Sequence, residues 1–408
     1  MKKGGGRRPG SGSGSGSGSG LRSRSGTRRL PAPSAAARAA LGPYARGRLV
    51  EKALGQTLSL DVPWDVFASQ AVDDGTLLLL QHLPQGEPRS VLDLGCGYGA
   101  LGLPVALAWP DARCLLVDRD LLAVAAAAHN ARALGLRNVE VQPGLGYRGL
   151  AGRSFDWVLC NVPARIGPQA MRALLLGGRA LGAEVRAVVI RDLADAARGM
   201  GMAHVASGPR HDVFALAPGP GTLEDDDGVY ARDETAFRGM LLQRPHDASE
   251  DPSHAKHLEL LAEALPRKAP RRALVFRAGY GRLALFMKAQ WPQAQVVAQE
   301  RDLLDAAFLR RNAEKLGLAV EVQESLFPGG QPGSCSLVAG EFSSPAGRAV
   351  AVHEAKEAAR LLEPGGEALL LASEKQERDW LSQLRGATVL LRREGASVLR
   401  ISRPTGGG

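Results

Sequence analysis

The sequence predicts an α/β fold class in which two Rossmann-like domains follow one another along a chain of 408 residues. The strongest observation is an internal repeat: residues 91–136 align without a gap with residues 273–318, and 19 of the 46 paired residues are identical. Apolar segments alternate with Ala- and Leu-rich helical segments in both halves, which predicts crossover connections and a mostly parallel sheet. Hydrophobic residues make up 45% of the chain, enough for two cores of ordinary size.

The predicted strands of the first half are short apolar segments separated by helical stretches. In chain order they are VLDLG, RCLLVD, VEVQ, FDWVLC, RAVVI and HDVFALA. The last follows the turn-rich string GPRHD, so we expect it to return antiparallel at an edge of the sheet. The predicted strands of the second half are ALVF, QVVAQ, VEVQ, SLVAG, EALLLA and SVLRIS.

Composition divides the chain into four segments. Residues 1–48 form an arm rich in Gly, Ser and Arg, which we expect to lack fixed structure. Residues 49–218 form the first predicted domain. The turn-rich, acidic string at 219–228 is the predicted linker, and residues 229–404 form the second domain.

The net charge of +9 is concentrated at the N-terminus. Residues 1–50 contain eleven Lys and Arg and no acid, so residues 51–408 carry a net charge of −2. A flexible Gly-Ser tract next to Arg clusters attracts phosphate without recognising a base sequence. We therefore predict that the arm contacts RNA; a solubilising tail and an organelle transit peptide are the alternatives.

Several protein classes are disfavoured by the sequence. No apolar run approaches the roughly 20 residues of a membrane span, and the N-terminus lacks the apolar stretch of a secretory signal. The four cysteines are far apart and form no C-x-x-C pair, which argues against a structural zinc site and against a disulfide framework. We expect a cytoplasmic protein without a membrane or metal partner.

The first copy of the repeat carries a glycine-rich turn between a predicted strand and a predicted helix. Asp93, Gly95, Gly97 and Gly99 lie in it, and such a turn lets a ligand approach the backbone beside a helix N-terminus. Asp118 ends the next predicted strand, where its carboxylate can accept hydrogen bonds from two ribose hydroxyls. These signals predict a nucleoside-bearing ligand. The G-x-G-x-x-G string that begins at Gly97 also fits a nicotinamide dinucleotide, so an NAD-dependent oxidoreductase remains an alternative.

Three features resemble the class I S-adenosylmethionine-dependent methyltransferases, in particular the small-domain family that modifies guanine in ribosomal RNA. An acid two residues before Gly95 is typical of that superfamily, where it lies near the methionine end of the cofactor. The string Asn161-Val162-Pro163 resembles the N-P-P-[FY] motif of methyltransferases that act on exocyclic or amide nitrogens. Phe67-Ala68-Ser69, followed by Asp73-Asp74-Gly75-Thr76, resembles the segment ahead of the first strand in that family.

The resemblance implies S-adenosylmethionine as cofactor and assigns roles to particular residues. The implied cofactor-binding residues are Asp93, Gly95, Gly97, Gly99, Asp118, Gly75 and Thr76. The side-chain oxygen of Asn161 and the backbone carbonyl of Val162 would accept the two N–H bonds of an amine and direct its lone pair at the methyl group. Pro163 would hold that backbone in place. Catalysis would then depend on positioning and electrostatics rather than on a general base.

The sequence also departs from the family pattern. Ala164 stands where an aromatic residue is expected, so stacking on a base must come from elsewhere. Arg165 follows, and we predict that it binds a phosphate or stacks on a base, with a surface salt bridge as the alternative. The predicted function is methylation of a nucleobase amine in ribosomal RNA. A methyltransferase for a protein amide or small molecule and a non-catalytic RNA-binding or assembly protein are the alternatives.

The second copy lacks most of these residues and is predicted to be degenerate. Val275 and Arg277 stand in place of Asp93 and Gly95. Glu341 aligns near Asn161, and a serine aligns near Pro163. The residues that occur in both copies are expected to serve the fold; they are Tyr98 and Tyr280, Trp109 and Trp291, and Asn130 and Asn312.

Overall fold

A computed structural model describes residues 30–224, 226–249, 257–326, 328–343, 345–384 and 386–405. Its strands are β1 (Ala45–Ala53), β2 (Gln56–Pro63), β3 (Ser90–Leu94), β4 (Arg113–Asp118), β5 (Val139–Pro143), β6 (Trp157–Asn161), β7 (Glu184–Ile190), β8 (Ala203–Ser207), β9 (His211–Leu216), β10 (Ala231–Phe237), β11 (Met240–Pro245), β12 (Arg272–Phe276), β13 (Gln295–Glu300), β14 (Glu321–Glu324), β15 (Cys335–Glu341), β16 (Leu362–Ser373), β17 (Ala387–Arg393) and β18 (Ala396–Ser402).

The α-helices connect these strands across the faces of two sheets. They are α1 (Ala35–Leu41), α2 (Asp74–Gln81), α3 (Gly102–Ala108), α4 (Leu121–Ala133), α5 (Pro168–Gly177), α6 (Ala194–Gly199), α7 (Leu258–Glu263), α8 (Arg282–Gln290), α9 (Leu303–Leu316), α10 (Gly347–Leu361) and α11 (Glu374–Trp380). None of the helices in the described ranges is both long and apolar enough to cross a membrane.

Two seven-stranded sheets with the same topology confirm the predicted fold class. The first has the strand order β5-β4-β3-β6-β7-β9-β8, and the second has the order β14-β13-β12-β15-β16-β18-β17. Five neighbouring strands of each sheet pair in parallel. At one edge two further strands are added, each antiparallel to the strand beside it. Every strand predicted from the sequence is present. The predicted edge strand β9 is indeed antiparallel, but β8 lies outside it, and β8 is a mostly exposed strand of five residues that was not predicted.

Part of the N-terminal arm is structured. The prediction that residues 1–48 lack fixed structure is wrong for residues 30–48, and residues 1–29 lie outside the described part of the chain. Ser34 caps α1, whose run of alanines has the highest intrinsic helix propensity. Tyr44 is buried. A segment that composition alone classifies as low-complexity therefore forms the first helix and strand of the fold.

Each copy begins with a β-hairpin that an asparagine ties to a helix of the same copy. Asn130 on α4 accepts a hydrogen bond from the Asp61 amide (2.9 Å) and donates to the carbonyls of Asp61 and Tyr98 (both 2.9 Å). Asn312 on α9 bonds in the same way to both backbone groups of Gln243 and to the Tyr280 carbonyl. Both asparagines are fully buried, so these bonds explain why the pair recurs in the two copies.

The copies meet through equivalent residues that follow β4 and β13. Arg119 forms an ion pair with Asp302 (3.2 Å), and Arg301 forms one with Asp120 (3.2 Å). Backbone bonds join Leu121 to the Arg301 carbonyl and Leu303 to the Arg119 carbonyl. This arrangement is that of an isologous dimer interface built within one chain. The carboxyl ends of the two parallel sheets consequently face one another.

Candidate functional site

Three predicted residues come together at the carboxyl edge of the first sheet. Asp93 is in β3, Asp118 ends the neighbouring strand β4, and Asn161 ends β6 on the other side of β3. The carboxyl edge of a parallel sheet, at the strand where the chain order reverses, is where such folds bind ligands. The predicted residues therefore share one site although up to 68 positions separate them in sequence.

The turn after β3 is built around three glycines with positive φ. The values are 82° for Gly95, 56° for Gly97 and 95° for Gly99, a region that residues with a side chain rarely adopt. The Gly95 and Cys96 amides bond to the Val117 carbonyl, which fastens the turn to β4. The backbone conformation of this turn therefore favours glycine at all three positions.

The glycines differ in what surrounds them. A Cβ added at Gly95 or Gly97 would meet no atom within 4 Å, so the backbone there is open to a ligand. At Gly99 it would lie 2.4 Å from Leu103, so that glycine is required for packing against α3. Gly75 is also enclosed, since a Cβ would approach His211 to 3.0 Å. Cofactor contact by Gly99 and Gly75 stays a prediction. The close packing around both positions is already a reason for glycine there.

Asp93 is a buried carboxylate with an unsatisfied oxygen. It is 1% exposed, and its Oδ2 accepts a hydrogen bond from the Gly102 amide at 2.8 Å. Its Oδ1 is buried and has no hydrogen-bond partner among the described residues. Burial, with a smaller contribution from the charge of Asp118, raises the pKa of Asp93 to about 7. An unsatisfied buried acid beside an open backbone turn suits a cationic ligand.

Asp118 is fixed by the turn that it faces. Its Oδ2 accepts from the Gly97 amide at 2.7 Å and its Oδ1 accepts from the Asp120 amide at 2.8 Å. Burial raises the pKa of Asp118 to about 6. Each carboxylate oxygen keeps a further lone pair, so the group can still accept from ribose hydroxyls.

Asn161 is oriented by two residues that precede the first sheet. Its Nδ2 donates to Asp73 Oδ2 and to Thr76 Oγ1, both at 3.0 Å. A carboxylate can only accept, so the amide nitrogen must face Asp73 and the oxygen must point elsewhere. Asp73 is itself held as the N-cap of α2, where it accepts from the amides of Gly75 and Thr76. The side-chain oxygen of Asn161 is thus preset as an acceptor.

The residues after Asn161 divide into a buried and an exposed part. Val162 is 3% exposed, and its amide donates to the Val188 carbonyl at 2.9 Å. Pro163, Ala164 and Arg165 are exposed. Arg165 forms an ion pair with Asp247 (3.3 Å) and remains 63% exposed, so the salt-bridge alternative is observed and phosphate binding stays a prediction. The site therefore presents backbone, Asn161 and Arg165 toward solvent.

Sequence reasoning missed two acids that reach across the interface. Asp247 accepts hydrogen bonds from Arg119, and Asp65 pairs with Arg277 and Arg301; both acids have positive φ. They are 182 positions apart, the offset of the repeat, and each follows a proline by two residues in the strings PWD and PHD. Extending the repeat comparison upstream of residue 91 would have found them.

The second copy keeps the shape of the turn without its chemistry. Arg277 adopts φ 51° where Gly95 has 82°, and its guanidinium pairs with Asp65 (3.0 Å) and Glu354 (2.7 Å). Glu341 ends β15 as Asn161 ends β6. Ser343 donates to Asp65 Oδ1. Within the described ranges, no group of three His, Cys, Asp or Glu side chains is arranged to hold a metal ion.

Comparison with known proteins agrees with this geometry. The family model described as methyltransferase small domain matches residues 59–178, which include the turn, Asp118 and Asn161. This part of the chain is therefore similar in sequence to a methyltransferase small domain. The resemblance stated from the sequence is thereby confirmed for these residues.

Relatives of the methyltransferase small domain are similar over a limited length. Proteins named ribosomal RNA large subunit methyltransferase G from Pseudomonas fluorescens and Ectopseudomonas mendocina are 41% and 40% identical over 128 residues. These matches cover 28% of this chain and 34% of each relative, so the chain matches about a third of their length.

The solved structure of the 16S rRNA N2 methyltransferase RsmC from T. thermophilus, in complex with AdoMet and guanosine, is similar over a greater length. The TM-score is 0.65 at 20% identity, over 89% of this chain and 99% of that one. The match shows that the tandem fold extends beyond the methyltransferase small domain.

Proposed function

We propose that the first domain, predicted over residues 49–218, binds S-adenosylmethionine and transfers its methyl group to an exocyclic amine of a base in ribosomal RNA. The observation that carries the proposal is the preset acceptor oxygen of Asn161 at the same sheet edge as the open turn. The named relatives and the T. thermophilus structure are ribosomal RNA methyltransferases, which supports RNA as the substrate class. We expect such an activity in the cytoplasm.

The residues at the edge of the first sheet fit this cofactor. The buried, unsatisfied Oδ1 of Asp93 suits its positive charge, and Asp118 suits ribose hydroxyls. The open backbone at Gly95 and Gly97 leaves room for close approach. When bound, the cofactor supplies an electrophilic methyl group on a sulfonium. Gly99, Gly75 and Thr76 help to hold the turn and Asn161, and their contact with the cofactor stays a prediction.

The chain's own contribution to chemistry is to orient the amine. An exocyclic amine is a poor nucleophile because its lone pair is delocalised into the ring. The Asn161 side-chain oxygen and the Val162 carbonyl accept hydrogen bonds from its two N–H groups. Pro163 restricts the backbone that directly follows the Val162 carbonyl. The hydrogen bond from the Val162 amide to the Val188 carbonyl fixes this backbone against β7. Such fixed acceptors lower the barrier without reorganising during the reaction.

Two features favour RNA over a small acceptor. The first 29 residues contain eight Lys and Arg, enough to contribute salt-dependent affinity for a phosphate backbone. Ala164 provides no ring for stacking, but Phe67 is 71% exposed in the loop that leads to Asp73. We assign base stacking to Phe67 and phosphate contact to Arg165.

The proposal is tested by transfer of tritiated methyl from S-adenosylmethionine to purified ribosomal subunits and to protein-free ribosomal RNA. We expect nuclease-sensitive label at one nucleotide, which mass mapping of the digested RNA identifies. Label in ribosomal protein would instead assign the enzyme to a protein amide. Cofactor binding by calorimetry without any transfer would contradict the catalytic proposal, and binding of NAD in its place would contradict the choice of cofactor.

The affinity for S-adenosylmethionine is expected to fall as pH is lowered below 7. The pKa of Asp93 in the free protein is raised to about 7, and a cation bound beside it favours the ionised carboxylate. Below pH 7 binding must first remove a proton from Asp93, so the affinity should fall by about tenfold for each pH unit, and more steeply below pH 6, where Asp118, with a pKa raised to about 6, is protonated as well. Calorimetry between pH 5.5 and 7.5 measures this slope. An Asp93→Asn variant should bind more weakly and with a flatter profile; an unchanged slope would remove Asp93 from the cofactor site.

A further inference from the structure

A second cleft opens at the carboxyl edge of the second sheet. Its volume is about 240 Å³, and it lies between the turn after β12 and the end of β15. Its charged lining residues come from both halves of the chain and are Asp65, Arg165, Arg277, Arg282, Glu300, Arg301 and Glu341. The cleft occupies the position in the second copy that is equivalent to the proposed cofactor site of the first copy, and Arg165 of the first half also lines it.

The turn that lines this cleft keeps the backbone of a nucleotide-binding turn. Gly279 and Gly281 have φ of 55° and 107°, close to the 56° and 95° of Gly97 and Gly99. The Gly279 amide donates to Glu300 Oε2 at 2.8 Å, as the Gly97 amide does to Asp118. A Cβ at Gly279 would meet no atom within 4 Å, so a ligand can approach the backbone.

The sequence of this turn fits a phosphate. The string from Gly279 to Ala284 reads G-x-G-x-x-A, and it opens the nine-residue helix α8. In this pattern the glycines let a phosphate approach the backbone at the helix N-terminus, and an acid at the end of the next strand binds ribose hydroxyls. Glu300 ends β13 and lies 21 residues after Gly279.

The residues that changed between the copies reverse the charge preference. Where the first site has the buried acid Asp93, the second has Val275. Where the first has Gly95, the second has Arg277, whose Nε is buried and has no hydrogen-bond partner among the described residues. Arg282, at the first position of α8, also lines the cleft. The lining as a whole has four arginines against Asp65, Glu300 and Glu341, so the second cleft favours an anion over a cation such as a sulfonium.

We propose that this cleft is a second ligand site that binds a nucleoside 5′-phosphate. Glu300 accepts hydrogen bonds from the ribose hydroxyls, while the Gly279–Gly281 turn, Arg277 and Arg282 hold the phosphate. The site is not catalytic for methyl transfer because it has Val275 and Glu341 where the first copy has Asp93 and Asn161. The same chemistry is presented by a free nucleotide and by the 5′-phosphorylated end of an RNA strand.

Calorimetry of the full chain with adenosine 5′-monophosphate tests the proposal, with adenosine as the probe that lacks the phosphate. We expect the monophosphate to bind at least about tenfold more tightly than adenosine, the contribution of one or two charge-assisted hydrogen bonds. Glu300→Gln should weaken monophosphate binding by a similar factor. The matched variant of the first copy, Asp118→Asn, should leave monophosphate affinity unchanged and weaken that for S-adenosylmethionine.

Three results would overturn the proposal: no binding of the monophosphate at millimolar concentration, equal affinity for adenosine, or loss of monophosphate binding in Asp118→Asn. If Glu300→Gln does not fold, photolabelling of wild type with 8-azido-adenosine monophosphate replaces it, and we expect label on peptides within 272–345 rather than 90–165. Methyl transfer is measured separately, so failure here leaves the proposed function untouched.

A 5′-phosphorylated hexaribonucleotide and its 5′-hydroxyl counterpart distinguish the two sources of the ligand. If the phosphorylated strand competes with the monophosphate and the hydroxyl strand does not, the site holds an RNA end. If neither strand competes while the monophosphate binds, the site holds a free nucleotide. Both results support the second site.

Discussion

Replacement of Asn161 by alanine is expected to lower kcat for methyl transfer by about 10²- to 10³-fold, the usual cost of losing one preorganised polar group that acts on the transition state. The affinity for S-adenosylmethionine should change little, because the amide faces Asp73 and Thr76 and its free oxygen is assigned to the substrate amine. Single-turnover transfer to ribosomal RNA, with calorimetry of cofactor binding alongside, measures both effects.

A matched variant separates orientation from chemistry at the same site. Thr76→Val keeps the shape of the side chain but removes one of the two acceptors that fix the Asn161 amide. We expect kcat to fall several-fold, less than in Asn161→Ala, because the Asp73 contact remains. If Asn161→Ala transfers methyl at the wild-type rate, Asn161 has no part in the mechanism. Asp73 then serves only as the N-cap of α2.

The turn and the strands of the site were predictable because their signals are local. Glycines at 95, 97 and 99 follow an apolar strand and precede a helix, and the structure gives all three the positive φ that glycine favours. The acid of Asp118 ends a strand of six residues with a continuous apolar run. Short-range patterns of this kind specify a strand-to-helix turn wherever they occur.

The contact that orients Asn161 was not predictable from such patterns. Asp73 lies 88 residues before Asn161, and only the packing of α2 beside β6 and β7 brings them together. The helix α1 was missed for a different reason, since its alanines resemble a low-complexity tract until Ser34 is recognised as its cap. Strand β8 is short and mostly exposed, and it is held by pairing with β9 rather than by burial.

The interface explains why the second copy persists without the residues for chemistry. Asp247, from the second half, bonds to Arg119 and Arg165 beside the first site, and Asp65, from the first half, bonds to Arg277 and Arg301 beside the second cleft. Each copy thus supplies an acid that holds the arginines of the other. The loop after Pro163 is positioned partly by the second copy, so loss of that copy would also disturb the first site.

Replacement of Arg277 by alanine is expected to lower the free energy of unfolding by about 3 to 5 kcal/mol, the cost of leaving a buried charge without its partner. Glu354 is 1% exposed and, among the described residues, would keep only the hydroxyl of Tyr44, at 2.6 Å, as a hydrogen-bond partner. Urea unfolding followed by circular dichroism measures the change. The control is Arg271→Ala, which breaks an exposed pair with Glu363 and should leave the free energy of unfolding nearly unchanged.

The double variant Arg277→Ala with Glu354→Gln identifies the origin of that loss. Neutral glutamine needs no countercharge, so the double variant should be more stable than Arg277→Ala alone, and the double-mutant cycle should be strongly non-additive. Arg277→Gly provides a second comparison, because it removes the same charge and glycine adopts the positive φ of this residue without strain. It should therefore be about 1 kcal/mol more stable to unfolding than Arg277→Ala. Two results would contradict this origin: losses that add in the double variant, or equal stability of Arg277→Ala and Arg271→Ala. Either would show that the interface is held by apolar packing and that the ion pairs serve only to align the copies.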